Sequence, residues 1–103
     1  MAQAQATTSV DDDRVRVTTW VFDPGASTGA HRHELDYIVV PITGGLFRVI
    51  NADGTELERS QVAGAPYAGA AGTEHDLINA TDATVSFVEI ELKHSVRNQG
   101  PTV

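Results

Sequence analysis

The stretch Gly25-Ala26-Ser27-Thr28-Gly29-Ala30-His31-Arg32-His33-Glu34-Leu35-Asp36-Tyr37 decides how the rest of the chain is read, because it sets two histidines one residue apart on a segment of extended character. Side chains alternate faces along a strand, so His31 and His33 point the same way. Their Cα atoms are then roughly 6.6 Å apart, twice a strand rise of about 3.3 Å, which lets both imidazoles lean onto one metal ion at about 2.1 Å. A third ligand has to come from elsewhere. The other histidine within patterned sequence is His75, in Gly72-Thr73-Glu74-His75-Asp76-Leu77-Ile78-Asn79, whereas His94 sits at the edge of a polar C-terminal tail. The remainder reads as a scaffold that carries His75 to His31 and His33.

Upstream, Arg14 to Phe22 (RVRVTTWVF) is rich in β-branched and aromatic residues and predicts a strand, closed by Asp23-Pro24-Gly25, where proline fixes φ and glycine is free to take a positive one. Residues 1–13 are small, polar and acidic, and read as a flexible N-terminal arm, one that could order against a partner subunit. Downstream, Tyr37 to Ile42 (YIVVPI) predicts a strand buried on both faces, with Pro41 placing its far end at a sheet edge or bulge. Thr43-Gly44-Gly45 and Asn51-Ala52-Asp53-Gly54 turn into further strands, Leu46 to Ile50 and Thr55 to Val62, a meander of short hairpins. Gly64 to Gly72 reads as a loop around Tyr67, His75 to Asn79 as a short strand, and Thr84 to Leu92 as the last one. No helical period longer than about two turns stands out. Many short strands with glycine-rich turns define an all-β sandwich or barrel over residues 14–93, followed by a tail over 94–103.

At 103 residues the chain is one domain, and its formal net charge of −7 makes nucleic acid and anionic membranes poor partners. It contains no cysteine, which removes disulfides, thiolate metal sites and cysteine nucleophiles. The N-terminus Met1-Ala2-Gln3-Ala4-Gln5-Ala6 has neither a basic nor an apolar signal region, and no run is apolar enough to cross a bilayer. The expectation is a soluble, cytoplasmic protein.

The chain resembles the single-domain cupins, small jelly-roll β-barrels with two motifs, G-x5-H-x-H-x3,4-E-x6-G and G-x5-P-x-G-x2-H-x3-N. Gly25, His31, His33 and Gly44 match the first; Gly64, Gly72, His75 and Asn79 match the second, with residues 45–63 between them. Within the superfamily, Asp23-Pro24-Gly25, His31-Arg32-His33, Asp36-Tyr37 and Phe87 to Lys93 are most similar to small cupins associated with β-alanine degradation. The resemblance implies a homodimer as well as the fold, and the β-branched first strand offers the edge at which one would form.

Two positions depart from the pattern. Tyr37 stands where the family has its glutamate ligand, and Ala70 where it has a proline. Positions 31, 33 and 37 share parity, so Tyr37 can enter the barrel with the histidines, while Asp36, and Glu34 if the strand is unbroken, point away. A neutral phenol is a weak ligand, so the expected centre is three-histidine, holding a divalent transition metal, with Fe(II) favoured and Mn, Ni or Zn as alternatives. Three neutral ligands leave the ion's +2 charge available to polarise a carboxylate, an enolate or dioxygen. The resemblance implies a metalloenzyme of the dioxygenase type, or an isomerase or lyase, acting on a small organic acid or enolisable ketone, with Tyr37 the nearest catalytic candidate. The competing reading is a non-catalytic module binding a small metabolite, with a structural metal or none. In that reading the histidines are surface or core residues and Tyr37 is packing. Glu89 and Glu91 share a face with Phe87 and line either the cavity or a solvated stripe, and Trp20, Phe22, Tyr67, Leu77 and Phe87 wall either a pocket or the core.

Overall fold

The computed structural model describes residues 2–94. Nine strands and no helix occur among them: β1 (Gln5–Asp11), β2 (Val15–Phe22), β3 (His31–Arg32), β4 (Asp36–Pro41), β5 (Gly45–Asn51), β6 (Glu56–Gln61), β7 (Tyr67–Gly69), β8 (Glu74–Asn79) and β9 (Val85–Leu92). One sheet runs β1-β2-β9-β4-β7 and the other β3-β8-β5-β6, every ladder antiparallel. Neighbours distant in sequence, such as β2 with β9 and β5 with β8, give the crossed connections of a jelly roll.

The period-two pattern explains which residues meet. On β2 the even positions Thr18 and Phe22 are buried, and β9 answers with Val85, Phe87 and Glu89. The other sheet contributes Phe47, Val49 and Leu77. Phe22, Phe47 and Phe87 meet at the centre with ring centroids 4.9, 5.6 and 5.9 Å apart, in the offset and edge-on range that adds about 0.5–1.5 kcal/mol per pair beyond area burial. Polar pins close the barrel. Fully buried Asn79 donates from Nδ2 to the carbonyls of Phe22 at 3.0 Å and Ala83 at 2.8 Å, and its Oδ1 accepts from Thr81 N at 2.9 Å. Gly25 takes φ 76° in the turn after β2 and donates its N–H to Asn79 O at 3.1 Å.

Four expectations change. Residues 1–13 are not a flexible arm throughout, because Gln5–Asp11 forms β1 along β2, from Gln5↔Val21 to Asp11↔Arg16. The β-branched Thr7, Thr8 and Val10 carry strand propensity that the polar composition masks. Secondly, β5 and β6 are a hairpin, but β4 does not join their meander; it lies between β9 and β7 in the opposite sheet. Thirdly, the loop read around Tyr67 contains β7, which pairs with Tyr37 to Val39 and leaves that flank of Pro41 without a ladder partner from β7. Finally, β4 is buried on one face only: Tyr37, Val39 and Pro41 are inside, while Ile38 and Val40 are half-buried on the outer surface. Of the tail expected from residue 94, exposed His94 is described and the rest lies outside the described residues.

Candidate metal centre

His31 on β3 and His75 on β8 are direct cross-strand partners, and His33 follows one step beyond the end of β3. The chain at His33 stays tied to the β8 side through His33 N to Thr73 O at 2.9 Å and Gly72 N to His33 O at 2.7 Å. Nε2 of His33 consequently lies 3.0 Å from Nε2 of His31 and 3.2 Å from Nε2 of His75, and the ligand atoms of all three residues fall within 4.8 Å of one another. Four bonds of about 2.1 Å in a tetrahedron put ligand atoms about 3.4 Å apart, and two at right angles about 3.0 Å apart, so the observed spacing fits a shared ion.

Hydrogen-bond chemistry supports the same reading. His31 Nδ1 lies 2.9 Å from the Gly29 carbonyl, which can only accept, so the neutral ring carries its proton on Nδ1 and offers a lone pair at Nε2. His33 Nε2 then faces two ring nitrogens with at most one proton to share. A cation at that point satisfies all three lone pairs. Burial, followed by the neighbouring His31, pushes the His33 pKa down to about 4; burial, followed by His31 and His33, does the same to His75, down to about 4. Both rings are therefore neutral ligands at physiological pH.

Around the histidines the structure sorts the remaining candidates. Tyr37 enters the barrel as its parity predicts, 6% exposed, and stacks on the His33 ring with centroids 4.0 Å apart and planes 22° apart. Glu34 is exposed even though the strand breaks after Arg32, and Asp36 turns away to accept from Ala71 N at 2.9 Å. Glu89 and Glu91 do face the interior. Glu91 closes a two-point ion pair with Arg16, at 2.7 and 3.0 Å. Glu89, 8% exposed, has an oxygen 4.0 Å from His33 Nδ1, on the far side of the ring from the convergent nitrogens. Burial, reinforced by the Glu91 charge, pushes its pKa up to about 7. At 4.0 Å the approach of Glu89 to His33 is a charge contact and not a hydrogen bond. Phe22 is core, Leu77 and Phe87 serve both core and cavity, and Tyr67 lines with His33 and His75 a cleft of about 540 Å³.

Sequence reasoning missed two residues. Gly69, read as generic loop, sits opposite Tyr37, and a Cβ there would stand 2.0 Å from Tyr37 Cζ. Arg59, on the cleft wall, holds its guanidinium carbon 3.8 Å from the centre of the Tyr67 ring. The signal for Arg59 was its shared parity with Leu57 and Gln61 on β6; for Gly69 there was none short of knowing the β4–β7 register.

Two paired histidines on one strand segment, a third across the ladder, and a jelly roll around them define a cupin, and the chain belongs to that family. It is 41% identical to a cupin domain of Bordetella pertussis whose crystal structure superposes with a TM-score of 0.87, covering 90% of this chain and 96% of that one. Among curated proteins it is similar to the β-alanine degradation protein BauB of Pseudomonas aeruginosa, 47% identical over 91 residues, 88% of this chain and 95% of that protein. The polyketide cyclase RemF of Streptomyces resistomycificus shares the fold at 20% identity and a TM-score of 0.68, over 90% of this chain and 69% of that one. No family model matches the sequence. No helix among the described residues is long and apolar enough to cross a membrane.

Proposed function

We propose that the chain is a mononuclear metalloenzyme in which His31, His33 and His75 hold one divalent transition metal, Fe(II) favoured, and that its substrate is a small organic acid or enolisable ketone. The observation that carries the proposal is the convergence of three Nε2 atoms, with His31 locked in the tautomer that exposes its lone pair. An ion held by His31, His33 and His75 would supply Lewis acidity. The protein's own groups do the rest. Val39, Leu77 and Phe87 give the cleft an apolar stretch of wall against which the carbon skeleton of a small substrate can pack. The Tyr37 hydroxyl, beside a ligating ring and on the cleft wall, is a donor that can hold a proton on a substrate oxygen. Burial, then the Glu89 charge, raises its pKa, which keeps it a donor. Similarity to BauB supports a role in β-alanine degradation, and the cytoplasm is the compartment that the sequence expectation gives for it.

A second reading, the non-catalytic metabolite-binding module, draws on a specific feature. The Tyr37 ring is wedged over Gly69 and flat against His33, which is also what pure packing would look like. We further propose a homodimer, but not through the edge of the β-branched strand expected from the sequence, because β2 is paired on both sides by β1 and β9. Val17, Ile38, Val40, Val88 and Ile90 form a half-buried apolar patch on the outer face of the five-stranded sheet, aligned by Val17↔Ile90, Ile38↔Ile90 and Val40↔Val88.

Metal analysis of protein purified without an affinity tag, followed by oxygen-uptake screening of small acids and ketones, tests the proposal. One ion per chain is expected, lost in His75→Ala, with Tyr37→Phe retaining the ion and lowering turnover by roughly 10²-fold. Full metal stoichiometry in His75→Ala removes the site. Unchanged turnover in Tyr37→Phe makes that residue packing and favours the binding module.

A further inference from the structure

Arg59 differs from the other arginines on the cavity walls. Arg16 is paired with Glu91 and Arg32 with Glu74, while on the outer surface Arg48 pairs with Glu56 and Lys93 with Asp11. Among the described residues Arg59 has no carboxylate partner, in a chain with 14 acidic residues against 7 basic ones. Glu58 and Glu89 line the same cleft, yet neither forms an ion pair with this guanidinium.

Register explains its direction. Cross-strand partners share a face, and on the β5–β6 ladder Arg59 lies opposite Phe47, with Leu57 opposite Val49. Phe47 and Val49 are core residues, so Arg59 is turned to the barrel side of β6, while Glu58 lies opposite exposed Arg48. The Tyr67 ring, 3.8 Å beneath the guanidinium carbon, fixes it over the cleft. A guanidinium stacked by its face keeps its N–H edge free, and that edge matches a carboxylate in two parallel hydrogen bonds. The same cleft of about 540 Å³ is bounded by His33 and His75, a size suited to one small molecule reaching both ends. Elsewhere the surface is acidic and repels anions, so a local cation is what an acid would need in order to enter.

We propose that Arg59 is the carboxylate anchor of this cleft, and that the ligand is a small organic acid carrying a second oxygen or nitrogen donor at its other end, toward His33 and His75. This rests on the reading of the cleft as a small-molecule site, and narrows it from acids or ketones to acids.

The test is calorimetric titration with 3-hydroxybutanoate and with its neutral amide, on the protein with and without bound metal. Wild type binds the acid in preference to the amide. In Arg59→Gln that preference falls by about 10- to 100-fold, the scale of hydrogen bonds to a charged group. Arg59→Lys keeps part of it, and Arg14→Gln, which removes the same charge from an exposed turn, keeps all of it. An acid preference undiminished in Arg59→Gln, or absent in wild type, overturns the proposal. Running His75→Ala alongside separates the two readings. If wild type carries no ion, the metal centre fails, while an Arg59-dependent preference on the metal-free protein still upholds the anchor. If the preference disappears in His75→Ala and survives in Arg59→Gln, the carboxylate goes to the ion and the anchor is wrong.

Discussion

Gly69→Ala is the smallest change expected to disturb the histidine cluster from outside it. A Cβ at Gly69 would lie 2.0, 2.3 and 2.4 Å from Cζ, Oη and Cε2 of Tyr37. Ordinary carbon contacts begin near 3.5 Å, so the ring must withdraw by about 1.5 Å. The face of that ring is stacked on His33 at 4.0 Å, and His33 supplies the nitrogen that the other two histidines approach. Relief therefore comes by moving His33 or by peeling off the three-residue edge strand β7. Either route costs about 1–3 kcal/mol of stability, the usual range for overpacking a core. Loss of ligand orientation weakens divalent metal binding by about 10- to 100-fold. Urea denaturation measures the first and competition titration with a chelator the second. Repeating both in a Tyr37→Ala background isolates the cause, because with the ring gone the added methyl meets little and the two changes should couple strongly. If Gly69→Ala binds metal as wild type does, or costs the same with and without the Tyr37 ring, the account of Tyr37 as the support of His33 is wrong.

Asn79→Ala should lower stability by about 2 kcal/mol in urea denaturation, since it leaves the buried carbonyl of Phe22 without its side-chain donor; a loss under about 0.5 kcal/mol would contradict that role. Metal-free protein should show an acid limb set by His33 and His75. With folded values near 4 below an unfolded value of about 6.5, stability is full above the unfolded value and is lost as pH falls toward 4. Glu89 acts oppositely, its folded value near 7 making stability present at low pH and lost as pH rises through 7; because the two oppose each other, they are separated in variants: a Glu89→Gln protein whose melting temperature does not fall from pH 7 to 4 would refute the histidine part, and one with the wild-type pH profile would refute the Glu89 part. Ile90→Lys, on the outer apolar patch, should convert a dimer to a monomer in light scattering while leaving metal content intact, and an unchanged mass would move the interface elsewhere.

The histidine set was legible from the spacing of the two motifs, although the strand that parity assumes ends at Arg32 and His33 is held in place by its backbone bonds to Thr73 and Gly72 instead. The shared face of Glu89 and Glu91 was legible because parity is a local rule within one unbroken strand. What escaped was everything set by register between distant strands. Gly69 matters only because β7 lands opposite Tyr37, and Arg59 only because Phe47 faces it across a hairpin. β1 was hidden differently, since its seven residues are all exposed and carry no apolar alternation from which a buried face could be read. The outer half of β4 shows the converse: its unbroken apolar run predicts more burial than a single chain provides, and a second subunit would supply the difference.

The ladder between β3 and β8 consists of two residue pairs, His31↔His75 and Arg32↔Glu74. Set beside the longer ladders of β5 with β6 and with β8, it is the natural place for the four-stranded sheet to part. An ion held by His31, His33 and His75 would bridge that seam as an extra rung, stronger than any hydrogen bond in it. Loading the protein would then act as a clasp on one edge of the barrel. Amide protons near Thr73 and His33 would exchange with solvent on one timescale in the empty protein and on a far slower one once the clasp is shut, while the aromatic centre at Phe22, Phe47 and Phe87 would exchange alike in both.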